Sequence, residues 1–250
     1  MTGKNNGAKR GNRLNELTGK LKSGLPDRLV SVILYGSAAG GDWNENTSDL
    51  NVLCVLDRIT PSELAKSEPV FRWWRDGGSP PPLLLTAEEV GTSTDCFPME
   101  FHDMKERRQV LHGADLIAGL EIDYKFYRAQ VEHELRAKQI RLRQRTAELL
   151  SAPERLQTLM VHSLSTFCVL GRHALILSGR PAYWSKREIL DALAVATGHA
   201  FTGGDEILAI RTAGKQILPL NRAIWLLEQY LADVEALVRF VDRLDQTEAG

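Results

Sequence analysis

Residues of the types that bind phosphates and metal ions are concentrated between residues 29 and 56. Gly36 and Ser37 follow one apolar strand pattern, and Asp49 and Asn51 lie at the start of a second one. Because side chains alternate between the two faces of a strand, Asp49 and Asn51 should share a face, with their apolar neighbours on the other. The pattern predicts a carboxylate displayed beside a phosphate-sized turn.

A glycine-serine turn of this kind can bind a polyphosphate. The backbone N–H groups of Gly36 and Ser37, at the beginning of a helical turn, lack intrahelical partners, and the helix dipole favours anions there. Glycine lets the backbone approach the ligand closely, and the serine hydroxyl adds a donor. Acidic ligands one strand away would bind the Mg²⁺ that bridges the phosphates to an attacking hydroxyl. The predicted chemistry is therefore phosphoryl or nucleotidyl transfer.

The order Gly36-Ser37, eleven residues, then Asp49-Leu50-Asn51-Val52 resembles the signature of the polymerase-beta-like nucleotidyltransferase superfamily. The resemblance is to the branch that contains small-molecule and aminoglycoside adenylyltransferases. It implies an α/β nucleotidyltransferase domain joined to a helical bundle. It also implies an NTP substrate, ATP by default, with Mg²⁺ or Mn²⁺, and transfer of the nucleoside monophosphate to a hydroxyl of a small molecule or protein.

Asn51 stands where the family pattern has its second aspartate. An amide oxygen can ligate a cation but brings no charge, so metal affinity should fall. Two functions therefore stay open. The chain is an active nucleotidyltransferase, or it is a catalytically weak or silent nucleotide-binding module that acts through a partner.

A third carboxylate on a later strand completes the family pattern, and Glu100 is assigned to it. In the segment DCFPMEFHDM, apolar alternation predicts a strand on which Glu100 and His102 share a face. The resemblance gives Glu100 the role of binding the catalytic metal and activating the attacking hydroxyl. Asp103 replaces it if the register shifts by one residue. His102 is either a further ligand or a hydrogen-bonded bystander.

Two groups of basic residues have open roles. The run from Lys105 to Arg108 is either a solvated edge or a source of one phosphate contact. The segment from Arg136 to Arg145 has five cations and no acid, with Arg136 and Arg143 on one predicted helix face. It either binds a triphosphate or an acidic substrate, or it is a solvated helix surface.

Composition and periodicity predict a flexible tail over residues 1–11 and a helical bundle over 119–250. The resemblance implies that residues 12–118 form a nucleotidyltransferase domain, so an α+β protein is expected. The first domain should hold a mixed sheet with flanking helices. In the second, helices are predicted at 122–150, 153–178, from a Ser185 cap to Gly198, 204–216 and 218–244. The last has apolar residues at alternating steps of four and three, a bundle seam inside the domain or across a homodimer.

Composition limits the classes of partner. With 250 residues, 43% of them hydrophobic, and a formal net charge of −1, nothing favours a nucleic acid or a membrane. No apolar run approaches the roughly 20 residues that span a bilayer. The three cysteines, Cys54, Cys96 and Cys168, are interpreted as buried thiols in a reducing cytoplasm. The expected partners are a nucleotide and an unidentified acceptor.

Overall fold

The computed structural model describes residues 2–40, 50–214 and 217–244, with side chains from residue 9 onward. The chain divides into two compact units, Met1–Tyr124 and Lys125–Gly250. The first combines a mixed sheet with flanking helices, and the second is helical. The predicted α+β class is therefore confirmed, and the observed division falls a few residues after the predicted one at residue 118.

The first unit is built on one sheet with the strand order β3-β2-β1-β4. Its strands are β1 (Leu29–Tyr35), β2 (Asn51–Leu56), β3 (Leu83–Thr86) and β4 (Arg108–Gly113). Its helices are α1 (Thr2–Gly24), α2 (Pro61–Asp76), α3 (Ala87–Thr92) and α4 (Pro98–Glu106), with a 3-10 turn at Gly36–Gly40. β1 is antiparallel to β2 and β4, and β2 is parallel to β3. The central strand β1 therefore ends between β2 and β4.

Each face of the sheet has its own apolar core, as alternation along β1 and β2 requires. On one face, Leu34 and Val52 pack with Leu17 of α1 and Trp74 of α2. The opposite core contains side chains from β1, β2, α3 and α4: Ile33, Leu53, Val55, Val90, Phe101 and Met104. Tyr35 packs against this second core. The face that carries odd-numbered residues of β1 and β2 therefore lies under α4.

The first helix begins at Thr2 rather than at residue 12, so most of the predicted flexible tail is helical. Two arginine side chains attach the helix to the sheet domain. Arg10 donates to the carbonyl oxygen of Ala38 at 2.7 Å, and Arg13 donates to that of Trp74 at 2.9 Å. The hydrogen bond from Arg10 favours helix in the segment before residue 12, which local composition alone does not predict to be helical.

The second unit consists of helices in the order that the periodicity predicts. They are α5 (Tyr127–Ala147), α6 (Pro153–Leu177), α7 (Lys186–Thr197), α8 (Thr202–Ala213) and α9 (Leu220–Leu244). The capping box before α7 is present, because Ser185 accepts from the Glu188 N–H and the Glu188 carboxylate accepts from the Ser185 N–H. Gly198 ends α7 in a left-handed conformation with φ of 71°.

The central helix of this unit, α6, is long and apolar enough by length and composition to cross a membrane. It nevertheless packs against α5, α7, α8 and α9. Arg172 and His173 are buried on it, and the Tyr127 hydroxyl is hydrogen-bonded to His173 Nδ1. A long apolar helix that is covered by neighbouring helices is typical of the core of a helical bundle.

Helix α9 uses its apolar seam within the unit over most of its length. Leu227, Val234, Val238 and Val241 are buried, and the helix packs on α5, α6, α7 and α8. Only its first turns present large apolar residues at the surface of the described chain, at Leu220, Ile224 and Trp225. Packing inside the domain therefore accounts for the seam, and a homodimer through the helical unit stays a prediction.

The cysteines differ in environment from the prediction at one position. Cys54 and Cys168 are buried, whereas Cys96 is exposed. Burial raises the pKa of each of the two buried thiols to about 12, so both stay protonated and unreactive at neutral pH. Cys96 lies in the turn before α4, where no core surrounds it.

Candidate active site

The strand register brings the predicted turn and Asn51 together at one end of the sheet. Tyr35, the last residue of β1, pairs with Asn51 of β2 on one side and with Arg108 of β4 on the other. The chain then turns through Gly36, whose φ of 76° is left-handed. Glycine adopts that conformation without the steric cost that a Cβ would impose. The turn is thus fixed where three strands meet.

The N–H of Gly36 already has a partner within the protein. It donates to the carbonyl oxygen of Arg107 at 2.9 Å. Because this N–H is already hydrogen-bonded, it does not fill the predicted role of binding phosphate. Gly36 instead provides the left-handed backbone conformation of the turn. Ser37, the next residue, is half-buried. Its N–H and hydroxyl group remain the predicted donors to a phosphate oxygen.

Asn51 lies beside the turn, as predicted. A Cβ built on Gly36 would lie 3.4 Å from Asn51 Nδ2, so the side-chain amide contacts the backbone of the turn. Leu50 and Val52 are buried against α1 and α2, while Asn51 is partly exposed on the opposite face. Asp49, the carboxylate predicted next to it, lies outside the described residues.

Glu100 belongs to a helix, so the predicted strand at this position is wrong. Pro98 occupies the first turn of α4, where its fixed φ and missing N–H suit a helix start. Phe101 and Met104, three residues apart, are both buried under the sheet. In this helix Glu100 shares a face with Asp103 rather than with His102. The short apolar repeat fitted a strand and a helix equally, and packing decided between them.

The carboxylates of Glu100 and Asp103 on α4 interact electrostatically with Tyr35, the last residue of β1. Burial raises the pKa of the Tyr35 hydroxyl to about 12, and the negative charges of Glu100 and Asp103 contribute to the rise. Such an effect requires both carboxylates to lie within electrostatic range of the hydroxyl. Glu100 is exposed and Asp103 is partly buried. The two acids that the sequence proposed thus approach the same strand end as Asn51.

His102 lies on the buried side of α4. Its Nδ1 is 4.0 Å from an Asp103 carboxylate oxygen, and its ring meets the Tyr124 ring edge-on at 6.4 Å between centroids. A neighbouring carboxylate and an aromatic ring are compatible with both predicted roles, so the role of His102 stays a prediction.

The basic run after α4 separates into different roles. Arg108 pairs with Asp115 at 2.9 Å, and Lys105 donates to the carbonyl oxygen of Leu120 at 2.6 Å. Arg107 instead lies over the 3-10 turn: a Cβ on Gly40 would be 2.2 Å from its Nη1. This guanidinium places positive charge against the Gly36–Gly40 turn. From the sequence, Arg107 is predicted only as one of the cations in the run from Lys105 to Arg108.

Sequence reasoning missed Tyr35 as a site residue, and it did not single out Arg107 within the run from Lys105 to Arg108. Tyr35 precedes the Gly-Ser pair directly, so its place at the strand end could have been read from the pattern. Arg107 could not, because its contact with Gly40 depends on β4 returning beside β1. The structure therefore gathers Tyr35, the 3-10 turn, Asn51, α4 and Arg107 at one end of the sheet.

Comparisons with known proteins identify the fold. No protein-family model matches the sequence, and no curated protein matches it. Among solved structures, the chain is similar to spectinomycin adenyltransferase AAD(9) from Enterococcus faecialis, crystallised with ATP and spectinomycin. The TM-score is 0.60 at 15% sequence identity, over 92% of this chain and 98% of that one. The chain therefore has an aminoglycoside adenylyltransferase-like nucleotidyltransferase fold.

Proposed function

We propose that the protein is a Mg²⁺-dependent nucleotidyltransferase. It would move a nucleoside monophosphate from an NTP, ATP by default, to a hydroxyl of a small molecule or protein. The observation that supports this function best is the meeting of the 3-10 turn, Asn51 and the acidic helix α4 at one sheet end. The fold match to an adenyltransferase that binds ATP supports the same reaction class.

In this proposal the turn holds the phosphates of the nucleotide. The Ser37 N–H and hydroxyl donate to phosphate oxygens. Gly36 allows the left-handed backbone conformation that the turn requires. Arg107, whose guanidinium lies against Gly40, adds a charge-assisted contact to the same group. Tyr35, with its pKa raised to about 12, stays protonated at neutral pH. It therefore donates a hydrogen bond and does not act as a base.

The donor set suits a hard divalent cation. Asn51 offers an amide oxygen, Glu100 and Asp103 offer carboxylates, and Asp49 adds a third acid if it follows the alternation of β2. Mg²⁺ and Mn²⁺ prefer oxygen ligands of this kind. Such an ion, when bound, lowers the pKa of the attacking hydroxyl and neutralises the phosphates. Glu100 would orient that hydroxyl or accept its proton.

Labelled ATP tests this assignment. Pyrophosphate release is measured with ATP, Mg²⁺ and a panel of hydroxyl-bearing acceptors, for the wild type and for Asp49→Ala, Glu100→Gln and Asp103→Asn. Loss of the catalytic carboxylate should lower release by about 100-fold or more. Glu106→Gln, on the same helix and with the same change of charge, is the control and should keep wild-type release. Equal release from all five proteins would refute the transferase.

A silent nucleotide-binding module is the second candidate, and the neutral amide of Asn51 favours it. The two candidates differ in their need for metal. In calorimetry, an enzyme should bind ATP more tightly with Mg²⁺, whereas a silent module binds it equally without the ion. If Asn51→Asp creates turnover that the wild type lacks, the second candidate is correct.

We also propose that the protein works in the cytoplasm. Two thiols buried without a disulfide agree with a reducing compartment. In the part of the chain that the structure describes, one helix is long and apolar enough to cross a membrane, and it lies within the helical unit. Light scattering on the purified chain tests the accompanying expectation of a homodimer.

A further inference from the structure

We propose that the groove between α5 and α6 binds a small organic anion, a phosphate or carboxylate carried on an apolar body. The groove is formed wholly by the helical unit, and it shares no residue with the candidate active site. This inference therefore goes beyond the proposed function and does not rest on it.

The groove has the size of a small-molecule site. Its volume is about 810 Å³, within the range of about 300–1,000 Å³ that is usual for such sites. One wall is the second half of α5, with Lys138, Arg141 and Arg145, and the other is the first half of α6, with Arg155 and His162. Cations therefore face the same space from both helices.

The arginines of the groove differ from the others on α5. Arg128 and Arg136 each pair with Glu132, and Arg136 also reaches Asp242 at 2.7 Å. By contrast, Arg141, Arg145 and Arg155 form no ion pair within the described ranges of the chain. The basic segment thus splits, with Arg136 neutralised and Arg141 and Arg145 directed into the groove.

The positive charges at the groove repel one another. Arg141 and Arg145 are four residues apart, and like charges at that spacing repel each other on the surface of a helix. Arg155 adds a third positive charge across the groove. An anion between the two helices would relieve this repulsion, since it can accept hydrogen bonds from more than one guanidinium.

The floor of the groove accounts for the apolar part of the ligand. Leu149 and Leu159 line the groove and are partly exposed, while Leu142 and Phe167 beside them are buried. An aromatic or aliphatic body would cover Leu149 and Leu159 while its acidic group meets the arginines. Inorganic phosphate alone would leave these two leucines exposed to water.

The acids at the groove favour a compact anion over a nucleic acid or an anionic membrane. Glu148 and Glu154 also line it, so these two carboxylates face three arginines and Lys138, which pairs with Glu134 at 3.4 Å. Extended polyanions would bring phosphates close to both glutamates, at a repulsive cost. The whole chain has a formal net charge of −1, so no overall positive charge attracts an anionic polymer.

A fluorescence titration with 1-naphthyl phosphate, in the absence of nucleotide, tests the site. It is carried out on the full chain and on an Arg141→Gln/Arg145→Gln double variant. Arg143→Gln is the matched control, because Arg143 is exposed on the same helix and does not line the groove. Both substitutions lie at the surface, and thermal unfolding followed by circular dichroism verifies that the variants are folded.

We expect saturable binding of one molecule per chain, weakened at least 10-fold by the double substitution and less than 2-fold by the control. The neutral analogue 1-naphthol should bind at least 10-fold more weakly than the phosphate. The proposal is overturned by equal affinity in all three proteins, by equal binding of naphthol, or by binding of heparin or anionic vesicles alone. None of these results depends on pyrophosphate release, so the two proposals can fail separately.

Discussion

The N–H of Gly36 donates to the carbonyl oxygen of Arg107 at 2.9 Å. This hydrogen bond joins the turn after β1 to the residue between α4 and β4. The side chain of the same arginine lies over Gly40 at the other end of the turn. The backbone of Arg107 therefore holds the 3-10 turn in place, and its side chain adds a positive charge beside the turn.

Gly36→Ala tests the left-handed turn. A non-glycine residue at a φ of 76° costs about 1–2 kcal/mol, and the new Cβ would press on the Asn51 amide. We expect a loss of about that size in the free energy of unfolding, measured in urea, and weaker ATP binding. Gly91→Ala, where a Cβ meets nothing within 4 Å, should not destabilise the protein. Equal stability of the two variants would refute the strain.

Asn51→Asp tests the metal position. The amide lies against the Gly36–Gly40 turn, and a carboxylate there would add one negative charge to the oxygen donors. We expect Mn²⁺ to bind at least about 10-fold more tightly, which corresponds to about 1.4 kcal/mol, as followed by electron paramagnetic resonance. Asn221→Asp, in the helical unit, is the control. Unchanged Mn²⁺ affinity would place the ion elsewhere.

Tyr35→Phe should change how stability depends on pH. The folded pKa, about 12, lies above the ordinary value of 10.0, so the unfolded chain loses the hydroxyl proton first. Stability from this group is complete below pH 10 and is lost as the pH rises toward 12. Urea unfolding between about pH 8 and about pH 11 should show a steeper decline for the wild type. Tyr183→Phe should retain that decline, and identical slopes for all three proteins would contradict the buried hydroxyl.

Asp115→Asn should weaken the first unit. The Arg108 guanidinium, hydrogen-bonded to this carboxylate, holds its pKa below the usual range, and the N–H groups of Ile117 and Ala118 assist. The stability from this group is present above the unfolded pKa and lost as the pH falls through the folded one. Because the pair is partly exposed to solvent, we expect a loss of only about 0.5–1 kcal/mol at neutral pH, seen in thermal unfolding. The difference should shrink in acid, while Asp191→Asn should match the wild type throughout.

Local patterns in the sequence determined much of the architecture. The Ser185 capping box and the apolar repeats from α5 to α9 act through neighbours within a few residues, so they can be read directly. The alternation of Leu50, Asn51 and Val52 likewise predicted which side chain would face outward. The Gly36-Ser37 pair marked the turn for the same reason.

Only the tertiary structure decided how α4 folds and what Arg107 contacts. The segment after Pro98 is too short for periodicity to separate strand from helix, and burial of Phe101 and Met104 selected the helix. The contacts of Arg107 join residues that lie about seventy positions apart in the chain, and no local signal specifies such a pairing. The sequence alone thus determined which residues could perform the chemistry, and long-range packing decided which of them meet.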